Sequence, residues 1–133
     1  MPGKSQYQTD AVLNVLRGTN ITAPAGVYVG LFSTAPANDG ASGTELSGNA
    51  YARQAVTFGA PAADTGNIRK VSNTGVITFG PASADWLQAV AFGIWDAASA
   101  GNLLYWDNLT TPKTVQSGDK AEYAVGALVV KED

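Results

Sequence analysis

The chain has no cysteine and no histidine, holds a single methionine, and only 14% of its 133 residues are charged. Without cysteine, disulfides and thiolate metal sites are excluded, and the redox compartment leaves no mark. Without histidine, the usual general base at neutral pH and the commonest metal ligand are both missing. A charged share near 25% is ordinary, so this surface must be made largely of Ala, Gly, Ser, Thr and Asn. Such a surface suits a protein packed against neighbours, although a secreted binding module would share it. The net charge of −3 is mild and the basic residues are scattered, which gives no stripe for nucleic acid. No apolar run approaches the roughly 18 residues that span a bilayer. Met1-Pro2-Gly3-Lys4 has no apolar core behind it, so no signal peptide is expected. The expectation is a protein made in the cytoplasm, soluble until it meets its partner, with no membrane and no nucleic acid among its ligands.

What is present is β-forming. Gly26–Ser33 and Ala89–Asp96 are short apolar runs rich in β-branched and aromatic residues, the pattern of strands buried on both faces. Each carries glycine in mid-run, Gly30-Leu31-Phe32 and Gly93-Ile94-Trp95. Glycine weakens a strand and marks a bulge or a close approach of another backbone. The two runs are therefore expected to be neighbouring central strands that meet where a side chain would not fit.

Taken in order, Ser5-Gln6-Tyr7-Gln8 has the form of a capping box, and the residues from there to Arg17 favour helix, with Gly18 placed to end it. Tyr7, Ala11, Val12, Val15 and Leu16 share a broad face that should dock on the chain's own sheet or on a neighbouring subunit. The Gly/Asn-rich loop Ala35–Gly48 is long enough to be functional, and its natural use is to reach a neighbour. Tyr51–Phe58 alternates as a strand, with Arg53 read either as an edge charge or as an inter-subunit salt bridge or carbonyl contact. Ile68–Ser72 and Val76–Phe79 flank Asn73-Thr74-Gly75 like a hairpin with a left-handed glycine. A second hairpin brings Leu103–Trp106 back along the Val90–Trp95 run, placing Trp95 near Trp106. Pro112–Val115 and Ala121–Lys131 close the fold, with a bulge or bend at Gly126. The pattern is that of an all-β protein, an antiparallel β-sandwich or jelly-roll-like barrel, in a single domain 1–133: a helix and arm over 1–25 and the sandwich over 26–133.

No constellation carries chemistry. Serines lie in loops and no Ser-x-x-Lys occurs. Asp85, Asp96 and Asp107 are the only plausible carboxylate pairing, yet all sit beside turns, where Asp bonds local backbone. Asn38-Asp39-Gly40 faintly resembles a calcium loop but lacks the alternating carboxylates and distal glutamate. No phosphate loop, metal site or cofactor site is expected, and no catalytic residue is assigned. Trp86, Tyr105 and Trp106 could stack on a sugar, but Tyr105 and Trp106 must face opposite sides of their strand.

Several segments, read together, resemble a family of small tailed-bacteriophage virion proteins commonly labelled tail fibre proteins. They are Val27–Pro36, Glu45–Gln54 (Glu-x-Ser-Gly-x-x-Tyr-x-Arg), Ala84-Asp85-Trp86, Phe92–Ala97, Gly101–Trp106, Leu109–Lys113, Gly118-Asp119 and Gly126-Ala127-Leu128. The resemblance runs from about Thr22 to Val130 and implies a non-enzymatic virion structural protein. With neither heptads nor a repeated unit, the expected role is a capsid decoration (cement) protein that binds and stabilises the assembled shell. A small tail, tail-fibre or baseplate component is the alternative, and a glycan-binding module a more distant one. Expected partners are the major capsid protein or tail proteins, together with further copies of the chain in a homo-oligomer. The residues expected at the interface are Tyr7, Asn38, Asp39, Glu45 and Arg53.

Overall fold

A computed structural model describes residues 3–132; Met1 and Pro2 of the expected arm, and Asp133, lie outside the described residues. The chain begins with strand β1 (Gly3–Lys4), helix α1 (Gln6–Asn14) and a 3-10 turn over Val15–Arg17. Strands β2 (Tyr28–Thr34), β3 (Thr44–Glu45), β4 (Gln54–Ala55), β5 (Ala62–Ala63), β6 (Arg69–Ser72) and β7 (Ile77–Phe79) follow. The chain continues through β8 (Ala89–Trp95), β9 (Leu103–Lys113), β10 (Ala121–Tyr123) and β11 (Val129–Glu132). All pairings are antiparallel, in a six-stranded sheet ordered β1-β9-β8-β2-β3 with β4 also on β2, a pair β10-β7, and a trio β11-β6-β5. The fold is the expected all-β sandwich.

Alternation along β2 and β8 splits the side chains between two layers. Val29, Leu31, Phe92 and Ile94 face inward and join Ile77, Phe79, Val115, Ala121, Leu128 and Val130 from the smaller sheets in the main core. Phe32, Ala91 and Leu103 face outward with Trp95 and Trp106 as a second cluster. The glycine expectation holds in register: Gly30 lies opposite Gly93, and Gly93 opposite Trp106. A Cβ on Gly93 would stand 2.7 Å from Leu103 Cδ1 and 2.8 Å from Phe32 Cε1. The hydrogen atom there is what lets the outer aromatics lie flat on the sheet.

Two expectations fail. β6 and β7 do not pair as a hairpin; β6 joins β5 and β11, while β7 joins β10. The cause is Asn73, 2% exposed, whose amide donates to Gly75 O at 2.8 Å and Ala124 O at 3.0 Å and whose Oδ1 accepts from Leu128 N at 2.8 Å. Such a side chain satisfies three backbone groups of separate segments, so the chain crosses between sheets there and does not turn back. Gly75 is not among the positive-φ residues. Likewise, Tyr51–Phe58 is not one strand: only Gln54–Ala55 pairs with β2, and Phe58 makes a lone bridge to Asn73. Tyr51 and Arg53 turn toward the body, and so do Val56 and Phe58. The alternation slips phase between them. The closing run is also divided, with β10 and β11 in different sheets on either side of a turn at Gly126, φ 81°.

Candidate interaction surface

Of the expected interface residues, Glu45 and Arg53 meet each other. Glu45 sits on β3 at the edge of β2, and Arg53 lies just ahead of β4 on the same edge. Arg53 Nε donates to Glu45 Oε2 at 2.9 Å and Nη2 to Oε1 at 2.8 Å, the bidentate geometry a planar guanidinium favours. Its Nη1 donates to the carbonyls of Ala97 (3.0 Å) and Ala100 (2.7 Å) in the β8–β9 turn. The guanidinium carbon lies 3.7 Å from the centre of the Trp95 ring, and Trp95 stacks in turn on Phe32, 6.2 Å between centroids and 11° between planes. Tyr51 completes the knot by donating to Glu45 Oε2 at 2.8 Å and accepting from Leu31 N at 2.9 Å. Burial, and then the Glu45 carboxylate beside it, drive the Tyr51 hydroxyl pKa far upward. Gly30 makes the space: a Cβ there would lie 2.5 Å from Glu45 Oε2.

The side chains of Arg53 and Glu45 are only 8% and 21% exposed. The carbonyl contact read for Arg53 exists, but within the chain; its charge closes the outer cluster over Trp95 and ties three loops together. Asn38 and Asp39 are likewise occupied at home. Asn38 Oδ1 accepts from Trp106 Nε1 at 2.9 Å, and its carbonyl accepts from Gln6 N at 2.6 Å. Asp39 Oδ1 accepts from the backbone of Ala41 and Ser42 at 3.0 and 2.9 Å, and its Oδ2 from the Ser42 hydroxyl. These bonds hold its carboxyl below the usual range. The long loop thus folds back over the outer face: Pro36 is buried, and Trp106 covers Gly3 so closely that a Cβ would overlap the indole.

The carboxylates considered for chemistry are engaged in structure, Asp96 and Asp107 locally and Asp85, against expectation, with a segment 32 residues on. Asp85 accepts from Ser117 N at 2.8 Å, Asp96 from Asn102 N at 2.6 Å and Asn102 Nδ2 at 3.0 Å, and Asp107 from Asn108 N at 2.8 Å. Trp86 is 7% exposed in the main core. There it meets Tyr51 edge-on and donates to Asn49 O at 2.8 Å, so it cannot be a stacking platform for sugar. Tyr105 packs on the main core and Trp106 on the outer cluster, on opposite faces as the alternation requires.

Asn38, Asp39 and Tyr7 are all exposed, and of the three Tyr7 is the one carried by a helix. Ser5 caps α1 by accepting from Gln8 N at 3.1 Å, while the reciprocal bond from Gln8 is not made among the described residues. Gly18, φ 85°, ends the helical segment as expected. No residue of α1 is buried. Gln8, Ala11 and Asn14 look toward the body, where they line, with Tyr7, Ile94, Leu104, Tyr105 and Val130, a cleft of about 510 Å³. Leu13 and Leu16, 55% and 86% exposed, point away. The stripe expected to dock as one face is therefore split: Tyr7 and Ala11 line the cleft, while Val12, Val15 and Leu16 are exposed and do not pack on the chain's own sheet.

A family model described as Podophage GP4 fiber I protein gp80 matches residues 3–131, which takes in β1, α1 and every strand of the sandwich but for Glu132 at the end of β11. The chain belongs to this family. It is therefore a phage virion structural protein of the fibre type, and the family reaches further toward the N-terminus than the segments from Thr22 onward suggested. No curated protein matches the chain.

Proposed function

We propose that this fibre-family chain is a non-enzymatic subunit of the phage tail-fibre apparatus, made in the host cytoplasm and built into the particle through contacts with other tail proteins. The observation that carries this reading is a row of large aliphatic side chains turned outward on a capped helix. That helix is tethered to the main sheet by β1 and by Ser5 N donating to Leu104 O at 3.0 Å. Exposed apolar surface on a rigid element marks a contact with another protein. Support for a structural and not a catalytic role is that Asp85, Asp96 and Asp107 are each held by backbone or side-chain amides.

A second reading, capsid decoration, is favoured by shape. One 13.7 kDa sandwich without heptads or repeats has no shaft of its own, and such a module can bind the lattice of the major capsid protein. Many copies binding only the assembled shell would stabilise it by mass action and avidity. Quantitative mass spectrometry of purified particles, with gold labelling of a tagged chain, separates the two. A few copies, labelled at the tail, is the expected result. Hundreds of copies over the head means decoration. Absence from the particle overturns both.

A further inference from the structure

We propose that residues 7–26, helix α1 and the connector behind it, form a strap that lifts from the sandwich as one unit. It is hinged at Ser5–Gln6 and at Gly26–Val27, and its lifting opens the cleft beneath while both sheet layers stay folded. The proposal rests on how the strap is attached, and holds whether the particle carries the chain on its tail or on its head.

Both ends of the strap are pinned. Ahead of it, β1 pairs with β9, the 1%-exposed Ser5 donates its N–H to Leu104 O at 3.0 Å, and Gln6 N donates to Asn38 O at 2.6 Å. Behind it, Val27 O accepts from Val56 N at 3.0 Å and β2 begins at Tyr28. Between these points no backbone hydrogen bond joins residues 7–26 to residues 27–132, among the described residues. The turn bonds found there close on the strap or its cap: Thr9 N to Ser5 O, Gly18 N to Val15 O and Thr19 N to Asn14 O. No residue of the strap is buried. A segment resists opening through buried apolar contacts and through backbone bonds across its boundary. This one has few of the first and, between its ends, none of the second.

The side chains that α1 turns inward explain the weak seat. Gln8, Ala11 and Asn14 are half-buried and small or polar. They hold the helix off Ile94, Leu104 and Val130 and leave a cleft of about 510 Å³ where a packed seam would fill the space. Gln8 reaches the Tyr105 hydroxyl across it. Once lifted, nine helical residues and a 3-10 turn are too short to persist as a helix. Ile94, 2% exposed with the strap down, is then uncovered along with Phe58 and Val71. The strap thus shields an apolar groove in the free subunit.

Amide hydrogen exchange of the whole protein, read by mass spectrometry, tests this. Amides of α1 are expected to be protected no more than about a thousandfold, with little dependence on added urea, and those of β2 and β8 at least about a hundredfold more. Ala11→Leu, which fills the cleft from the strap's side, should slow exchange in α1 about tenfold and leave β2 and β8 unchanged. The chain has no cysteine, so a single introduced thiol reports on the floor. Ile94→Cys should react with a thiol reagent at least about a hundredfold faster than Leu31→Cys, which stands in the same core, 0% exposed, away from the cleft. Exchange of α1 at the rate and urea dependence of β2 and β8 overturns the proposal, since the strap then opens only with the whole fold. Exchange of α1 that Ala11→Leu leaves untouched also overturns it, because the helix would be fraying in place. Equal labelling of the two thiols does the same.

Discussion

Replacing Glu45 with Gln keeps the shape of the outer knot and removes its negative charge. Three hydrogen bonds converge on that carboxylate, from Arg53 Nε, Arg53 Nη2 and the Tyr51 hydroxyl, at 2.8–2.9 Å. Bonds to a charged acceptor contribute about 1.5–3 kcal/mol each and neutral ones about 0.5–1.5. The amide also turns an NH2 toward one of the three donors. The guanidinium, 8% exposed, then lacks a counter-ion, although Ala97 O, Ala100 O and the Trp95 ring still hold it. Because the bonds are coupled, the loss is less than three full differences, and E45Q should destabilise by about 2–3 kcal/mol. Urea melts followed by tryptophan fluorescence suit the measurement, since Trp95 lies under Arg53. Crossing E45Q with R53M in a double-mutant cycle should give a coupling of about 1–2 kcal/mol. An E45Q protein within about 0.5 kcal/mol of wild type, or a cycle that is additive, refutes the assignment of Arg53 to the interior of this fold.

Other substitutions probe the two glycine strands, the sheet crossing and the tyrosine. Asn73→Ala strands Leu128 N–H and takes a donor from the carbonyls of Gly75 and Ala124, the latter keeping its bond from Ala127 N, for a loss of about 2–4 kcal/mol; an unchanged urea midpoint would remove its role as the crossing pin. Gly93→Ala drives a methyl into Leu103 and Phe32 and should cost about 1–3 kcal/mol, read as a lower thermal midpoint; a neutral result would mean the outer cluster is loosely packed. The folded-state pKa of Tyr51 is raised, so its contribution is complete below the ordinary tyrosine value near 10 and is lost as pH rises above it. Tyr51→Phe should flatten the fall of urea stability above pH 10 by up to about 1.4 kcal/mol per pH unit, and an unaltered slope would contradict the burial of that hydroxyl.

The parts of the fold that were legible in the sequence are those fixed by local pattern. The Gly30 and Gly93 runs announce themselves because a strand buried on both faces must be continuously apolar, and a mid-strand glycine signals that something presses on it. Ser5 and Gly18 mark the helix ends through backbone groups they alone can satisfy. What local pattern does not encode is the partner at long range. Asn73-Thr74-Gly75 has the composition of a turn, but the amide of Asn73 bonds to residues 124 and 128, and no short window contains that information. Arg53 in a neutral strand is correctly conspicuous; that its counter-ion is Glu45 depends on a loop folding back. The Glu-x-Ser-Gly-x-x-Tyr-x-Arg spacing held all three members of the knot, and a reader asking what an arginine, a tyrosine and a glutamate share could have found it. The outward leucines escaped because a helical wheel shows which residues share a side, not which side meets the sheet.

The stretch from Ala121 to Glu132 supplies β10 to β7 and β11 to β6, while Leu128 seats on Asn73. The large sheet can zip from β1 to β9 alone, yet in the opposing layer β7 has no strand partner, and β6 only β5, until Ala121–Glu132 docks. Assembly of the two layers is therefore a late, non-local event, slow in the manner of high-contact-order β proteins. Until it happens, Ile77 and Phe79 lie open, so a folding subunit crowded among its siblings is most vulnerable to mispairing while that one stretch is still undocked.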